Sequence, residues 1–139
     1  MISALDSSVI LDVLTDAPVF AGSSEHVVRQ AAAEGRLVIS EPVLAEILPA
    51  FTGRAQLHEF LADWQIDFIP SSLESALLAG EHFSRYLARG GKAGRVVVDF
   101  LIGAHAQVHA DRLVARDRGY LRDYFTDLRI LAPAAAARP

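Results

Sequence analysis

The sequence predicts a single α/β domain, three layers deep (α/β/α), on a mainly parallel five-stranded sheet. Three observations lead there. Short apolar runs alternate along the chain with longer stretches of helical spacing, which is the pattern of a parallel sheet with crossover helices. The 139 residues are enough for one domain with a real core. Hydrophobic residues make up 52% of the chain, a content that excludes a disordered one.

Met1 to Leu5 reads as a buried first strand that closes at Asp6. Val9, Ile10, Leu11, Val13 and Leu14 follow at helical spacing, with Ser7 or Ser8 placed to cap the helix and Ala17-Pro18 to end it. Ser23 and Ser24 can cap a second helix through Val27, Val28 and Ala31 to Glu34, with Gly35 as its stop. Residues 37–39 form the second strand. Pro42 suits the first turn of a third helix that carries Val43, Leu44, Glu46, Ile47 and Leu48 and ends at Pro49. Residues 54–64 are helical again, with Leu57, Phe60, Leu61 and Trp64 on one face. Residues 66–69 alternate as a third strand, closed by Pro70.

Ser71 and Glu74 have capping-box spacing at the start of a long helix that reaches Arg89. Residues 90–94 are a glycine-rich flexible loop. A strongly apolar helix starts near Val96 and carries Asp99 at its beginning. Residues 113–115 are the fourth strand and stop short of Asp117. A short helix near Tyr120 to Tyr124 leads to a last strand at residues 129–131. The domain therefore spans residues 1–133, and residues 134–139 form a small-residue tail.

Composition narrows the chemistry. There is no cysteine, so disulfides, thiolate metal sites and thiol nucleophiles are excluded. No uncharged apolar run approaches the ~18 residues of a membrane span. The start of the chain lacks a basic segment, so no signal peptide is expected and the cytoplasm is the expected location. The net charge of −4 hides an asymmetry: residues 1–80 carry 3 basic and 11 acidic side chains, residues 81–139 carry 10 and 6. Arg112, Arg116 and Arg118 cluster about Asp117. They read as a phosphate-facing rim or as an ordinary solvated surface.

Four acids carry the functional case. Asp6 ends strand one and Asp117 follows strand four. Glu46 lies in the helix after strand two, and Asp99 starts the helix before strand four. Ligands of parallel sheets bind beyond the carboxyl ends of the strands, where the strand order reverses, and all four acids can reach that edge. Clustered carboxylates repel one another unless a cation neutralises them. Oxygen-only ligands favour Mg2+ or Mn2+, and such a centre can activate water against a phosphodiester. Each acid also has a plain alternative. Asp6 could be a helix cap, Glu46 a surface side chain, Asp99 a helix-dipole partner and Asp117 a turn residue.

Other motifs carry less. His105 and His109 have the i, i+4 spacing of a zinc helix but lack the adjacent Glu and a third ligand, so both read as structural. Lys92 lies in a glycine-rich loop without the Gly-Lys-Ser/Thr ending of a phosphate loop. Asp12, one turn after Ser8, reads as solvated or as an outer neighbour of the acid cluster. The apolar strip at residues 43–51 and 57–61 is mostly core, with part available as a groove for a partner.

Asp6-Ser7-Ser8-Val9-Ile10-Leu11-Asp12 resembles the opening motif of PIN-domain ribonucleases, and Ala45-Glu46-Ile47 resembles their second acidic motif. Residues 99–106 (DFLIGAHA) and 116–120 (RDRGY) resemble the third and fourth. Residues 124–133 (YFTDLRILAP) resemble the ending usual in the VapC-type toxin branch. The likeness runs through nearly the whole chain, in order. It implies a PIN-like domain with Mg2+- or Mn2+-dependent endoribonuclease activity on an RNA substrate. It also implies a VapB-like antitoxin as partner; a homodimer is expected as well. Asp6, Glu46, Asp99 and Asp117 would be both catalytic and metal-holding, and Ser8 would support Asp6; if the basic rim lines the substrate path, Arg112, Arg116 and Arg118 meet RNA. One departure is Ala115, where many relatives carry a hydroxyl residue. It removes a hydrogen bond that could help to place Asp117.

A receiver-like signalling domain has a similar layout and also gathers acids around magnesium. By resemblance to that family it needs a lysine at the end of its last strand, and the single lysine here is Lys92, before the fourth strand. A non-catalytic binding domain on the same fold is the third reading, and the intact acid quartet speaks against it.

Overall fold

A computed structural model describes residues 1–92, 94, 96–116 and 120–134, with Tyr120 in its backbone only. The elements follow in the order β1 (Ile2–Leu5), α1 (Ser7–Leu14), α2 (Ala21–Glu34), β2 (Arg36–Ile39), α3 (Glu41–Ile47), α4 (Arg54–Asp63), β3 (Ile66–Phe68), α5 (Leu73–Ala88), α6 (Val96–His109), β4 (Arg112–Val114), α7 (Tyr120–Tyr124) and β5 (Arg129–Leu131). A 3-10 turn at Leu48–Ala50, with Pro49 inside it, closes α3.

The strands form one sheet in the order β3-β2-β1-β4-β5, and every neighbouring pair is parallel. The chain builds outward from β1 through β2 to β3, then returns to β1's other side for β4 and β5. The strand order therefore reverses between β1 and β4. Right-handed crossovers place the helices of the first half on one face of the sheet and α5 and α6 on the other. Both faces are covered, so β1 and β2 are buried after their first residues. Leu5, Leu37, Ile39, Leu113 and Val114 meet Val9, Ile47 and Phe100 in the core. Gly103 admits Phe125 against α6, because a Cβ there would stand 2.7 Å from the Phe125 ring. Among the described residues no helix is long and apolar enough to cross a membrane.

Local caps differ from the sequence expectations. The N-cap of α1 is Asp6 rather than Ser7 or Ser8, and its carboxylate accepts from the Ser8 amide. Helix α2 begins at Ala21, before Ser23 and Ser24, with no side-chain cap bond, because the Ser24 hydroxyl is drawn to Asp12. The capping box of α5 is Ser72 with Ser75, not Ser71 with Glu74. Ser71 is occupied elsewhere, since its amide donates to Glu41 at 2.8 Å and its hydroxyl donates to the same carboxylate. Gly35 ends α2 as expected, but in extended backbone; it is needed because a Cβ would lie 1.8 Å from the Met1 carbonyl oxygen, where β1 and β2 first meet. The fourth strand begins one residue earlier than expected, at Arg112.

Candidate functional site at the carboxyl edge of the sheet

In a parallel sheet each following helix runs back along the strands, so its first turn lies at the carboxyl edge. Asp6 stands one residue past β1, at that edge and at the reversal of strand order. Its side chain is 4% exposed. The Ser8 hydroxyl donates to its Oδ2, alongside the Ser8 amide at 3.2 Å. The Ser7 hydroxyl points the other way and donates to Glu46 Oε1 at 2.9 Å. Adjacent serines in the first turn of α1 thus link strand β1 to helix α3. Glu46 itself is exposed.

Asp99 is half-buried in the first turn of α6, and α6 packs against both β1 and α3. The elements that carry Asp6, Glu46 and Asp99 are therefore mutual neighbours. The fourth expected acid, Asp117, lies outside the described residues, as does Arg118. Among the described residues no three His, Asp or Glu side chains stand together as a ready metal cage. The donor chemistry nevertheless fits a hard divalent cation, because the neighbouring acids offer oxygen alone. Ser40 adds to the fit. It sits one residue past β2 as Asp6 sits past β1, 2% exposed, and its hydroxyl has no hydrogen-bond partner among the described residues. A buried hydroxyl in that state is a ready partner for a bound water.

Two of the arginines expected on an RNA rim have other employment. Arg112 begins β4, at the amino edge of the sheet, and is 5% exposed. Its Nε donates to Ser3 Oγ at 2.8 Å and its guanidinium lies 3.2 Å from Glu34. It is buried at the edge opposite Asp6, so the expectation that Arg112 forms a surface rim with Arg116 and Arg118 is corrected. Arg116 does stand at the right edge, just past β4. Its guanidinium is bound to Asp12, with Nε donating to Oδ2 at 2.9 Å, and lies 4.2 Å from the Phe20 ring centre. Asp12 is not solvated: it is 3% exposed and also accepts from Ser24 Oγ at 2.7 Å. The clue in the sequence was the spacing of Asp12 on the Asp6 helix, but the partner lies more than a hundred residues away.

The histidine pair is structural. His105 is 1% exposed, and its Nε2–H donates to the Ile69 carbonyl at 2.7 Å. Burial holds its pKa below the usual 6.5, although that hydrogen bond pulls the other way. His109 Nε2 pairs with Ser72 Oγ at 3.2 Å.

An open, largely apolar groove of about 800 Å³ runs between α3, α4 and β3, walled by Leu44, Leu48, Leu57, Leu61, Ile66 and Phe68. Ala45, next to Glu46, forms part of the same wall. Phe60, expected on this strip, turns inward and packs on Phe51 and Trp64 at 5.4 and 6.2 Å between ring centres.

Residues 4–124 match the family model of the PIN domain. A search of curated protein sequences returned no significant match. Several solved structures share the fold. VapBC2 from Rickettsia felis, bound to a DNA fragment from its promoter, superposes with a TM-score of 0.71 at 22% identity, over 96% of this chain and 100% of that one. VapBC-1 from nontypeable Haemophilus influenzae gives 0.69 at 20% identity, over 95% and 98%. FitAcB from Neisseria gonorrhoeae gives 0.63 at 20% identity, over 94% and 96%.

Proposed function

The chain belongs to the PIN domain family, and on that premise we propose that it is a divalent-metal-dependent endoribonuclease, the toxin of a toxin–antitoxin pair. The observation that carries this reading is Asp6: a carboxylate 4% exposed, at the reversal of strand order, joined through the adjacent serines to the elements of the other acids. A bound Mg2+ or Mn2+ would lower the pKa of a water and steady the charge that develops on the scissile phosphate. Asp6, Glu46, Asp99 and Asp117 are the residues proposed to hold it. Ser8 holds the Asp6 carboxylate through its hydroxyl and its amide, and the Ser7 hydroxyl holds Glu46. RNA reaches the site from the open side of α3, where Glu46 is exposed. Of the three arginines first considered, Arg118 remains the proposed phosphate contact.

The partner reading rests on the groove. The similar structures are VapBC and FitAB toxin–antitoxin assemblies, and an apolar trough here is walled in part by Ala45, the residue before Glu46. An antitoxin segment with an apolar helix face would fill Leu44, Leu48 and Leu61, and a basic side chain at its end would meet the acids. Self-association has a different surface. The outward face of α5 shows Leu73 at 78%, Leu77 at 58% and Leu87 at 41% exposure, with Ala76, Gly80 and Ser84 between them and no charge. Leu73 and Leu87 are equidistant from Gly80, so a second copy laid antiparallel across Gly80 pairs them. The same register sets Glu74 of each copy toward Arg85 and Arg89 of the other, on one flank.

The test of the activity is direct. Purified chain is expected to cut RNA in the presence of magnesium or manganese and to stop when a chelator is added. Cleavage that continues unchanged in excess chelator overturns the metal reading.

A further inference from the structure

Asp12 is a buried carboxylate that the proposed chemistry does not use. It is the centre of a hydrogen-bonded chain that starts in α2 and ends at Asp6. Ser24 Oγ of α2 donates to Asp12 Oδ2 at 2.7 Å. Arg116 donates to both Asp12 oxygens through Nε and a terminal nitrogen. The backbone amide of Arg116 in turn donates to Ser8 Oγ at 3.4 Å, and Ser8 Oγ donates to Asp6 Oδ2. Residue 116 immediately precedes Asp117. Its guanidinium carbon also lies 4.2 Å from the centre of the Phe20 ring, a cation–π contact that further holds the fork in place.

A charge 3% exposed is expensive to bury, and a charge-assisted two-pronged pair with a third donor is what offsets that cost. An apolar side chain at position 12 would fill the space without that cost. What the pair adds is geometry: it fixes the exit of β4 relative to α1, where Asp6 caps the helix. Ala115 makes this more important, because it is fully buried and has no hydroxyl with which to fasten the exit.

We infer that Asp12 and Arg116 together are a positioning clamp for the acid site, fixing the β4 exit beside Asp6 and, through Ser8, the Asp6 carboxylate itself. The inference rests on the metal-site reading above. Arg116 on this account is not a substrate contact; its charge is spent on Asp12.

The experiment is Mn2+ titration of the full chain by calorimetry, with melting curves recorded on the same samples. The variants are Asp12→Asn, Arg116→Lys, their double, and Ser24→Ala as a control that touches Asp12 but not Arg116. The clamp predicts roughly 10- to 100-fold weaker Mn2+ binding for either single variant, the size usual when an outer partner of a metal ligand is lost. It predicts that the double variant is no weaker than the worse single one, because the two residues act as a unit. Ser24→Ala should stay within about twofold of the parent by the same reasoning. Arg116→Lys keeps the charge and removes only the fork, so it remains informative if Asp12→Asn fails to fold. Lowered melting temperatures with unchanged Mn2+ affinity, or additive losses in the double variant, overturn the clamp. A parent that binds no Mn2+ overturns the metal-site reading itself, and the clamp with it.

Discussion

Ser7 Oγ donates to Glu46 Oε1 at 2.9 Å, joining the first turn of α1 to the last turn of α3. The residue beside it, Ser8, holds Asp6. Two neighbouring hydroxyls thus orient two acids that come from different strands' crossovers. Ser7→Ala frees Glu46 to rotate into solvent without removing its charge. Cleavage is expected to fall about 10-fold, and the melting temperature to change little. Rates measured beside a melt check this; an unchanged rate would mean that Glu46 needs no orienting.

Arg112→Ala is predicted to lower the melting temperature and leave RNA binding alone. The side chain ties the start of β4 to Ser3 and Glu34, away from the acid edge. Neutralising a true single-strand phosphate contact would reduce the slope of log affinity against log salt by about 0.7. A salt series on Arg112→Ala should show the parental slope, whereas Arg118→Ala should show the loss. A flattened slope for Arg112→Ala contradicts the buried placement.

Leu44→Glu and Leu48→Glu should weaken antitoxin binding at least 10-fold while the chain melts near its parental temperature. Both side chains are half-buried walls of the groove, so a charge there is tolerated by the free protein and penalised in the complex. Phe60→Ala should do the reverse, because its ring packs on Phe51 and Trp64. Titration calorimetry with the product of a neighbouring antitoxin gene separates the two kinds of variant. Equal affinity for parent and Leu44→Glu would move the antitoxin elsewhere on the surface.

Acid should destabilise the fold well before the carboxylates are protonated. Burial, aided by Arg85, holds His82 below 6.5, and burial holds His105 below the same value. The unfolded chain then binds more protons than the folded one, so stability is complete above about pH 6.5 and is lost as pH falls through the lower folded values. Glu41 acts in a lower window. Burial raises its pKa, the hydrogen bonds from Ser71 outweigh that, and the net fall below 4.5 means that its contribution disappears only in stronger acid. Urea midpoints between pH 8 and 5 should decline, and His105→Gln should flatten the decline. A midpoint that rises on acidification contradicts both histidine assignments.

The outer face of α5 predicts a concentration-dependent dimer. Leu77→Glu should shift it to monomer in sedimentation velocity without loss of helix, since Leu77 is 58% exposed. A parent that remains monomeric at high concentration excludes this face as a self-association surface.

The order of elements was legible because hydrophobic period and turn chemistry are local. The sheet strands and long helices fall where those signals put them. The caps were less legible, because competition for a serine is decided in three dimensions. Ser71 is taken by Glu41, thirty residues away, and Ser24 by Asp12. Asp6 and Glu46 could be nominated from their places after strands, and Asp99 from its helix start. The fates of Arg112 and Arg116 could not be read, because a basic residue near an acid in sequence has the same signature whether it faces RNA, a core serine or a buried aspartate. Charge counts along a chain carry no information about which edge of a sheet a side chain meets.

Asp6 is the acid on which the proposed metal-dependent cleavage depends, and Asp6→Asn is the decisive variant. The substitution keeps the shape and the helix-cap oxygen but removes the charge proposed to hold metal. The parent and the variant should be compared on one RNA across a Mn2+ series, with a melt of each. Metal-dependent cleavage is expected from the parent, none above background from the variant at any metal concentration, and a variant melting temperature equal to or above the parent's, since one repelling charge is gone. Parental cleavage by a well-folded Asp6→Asn would contradict this expectation.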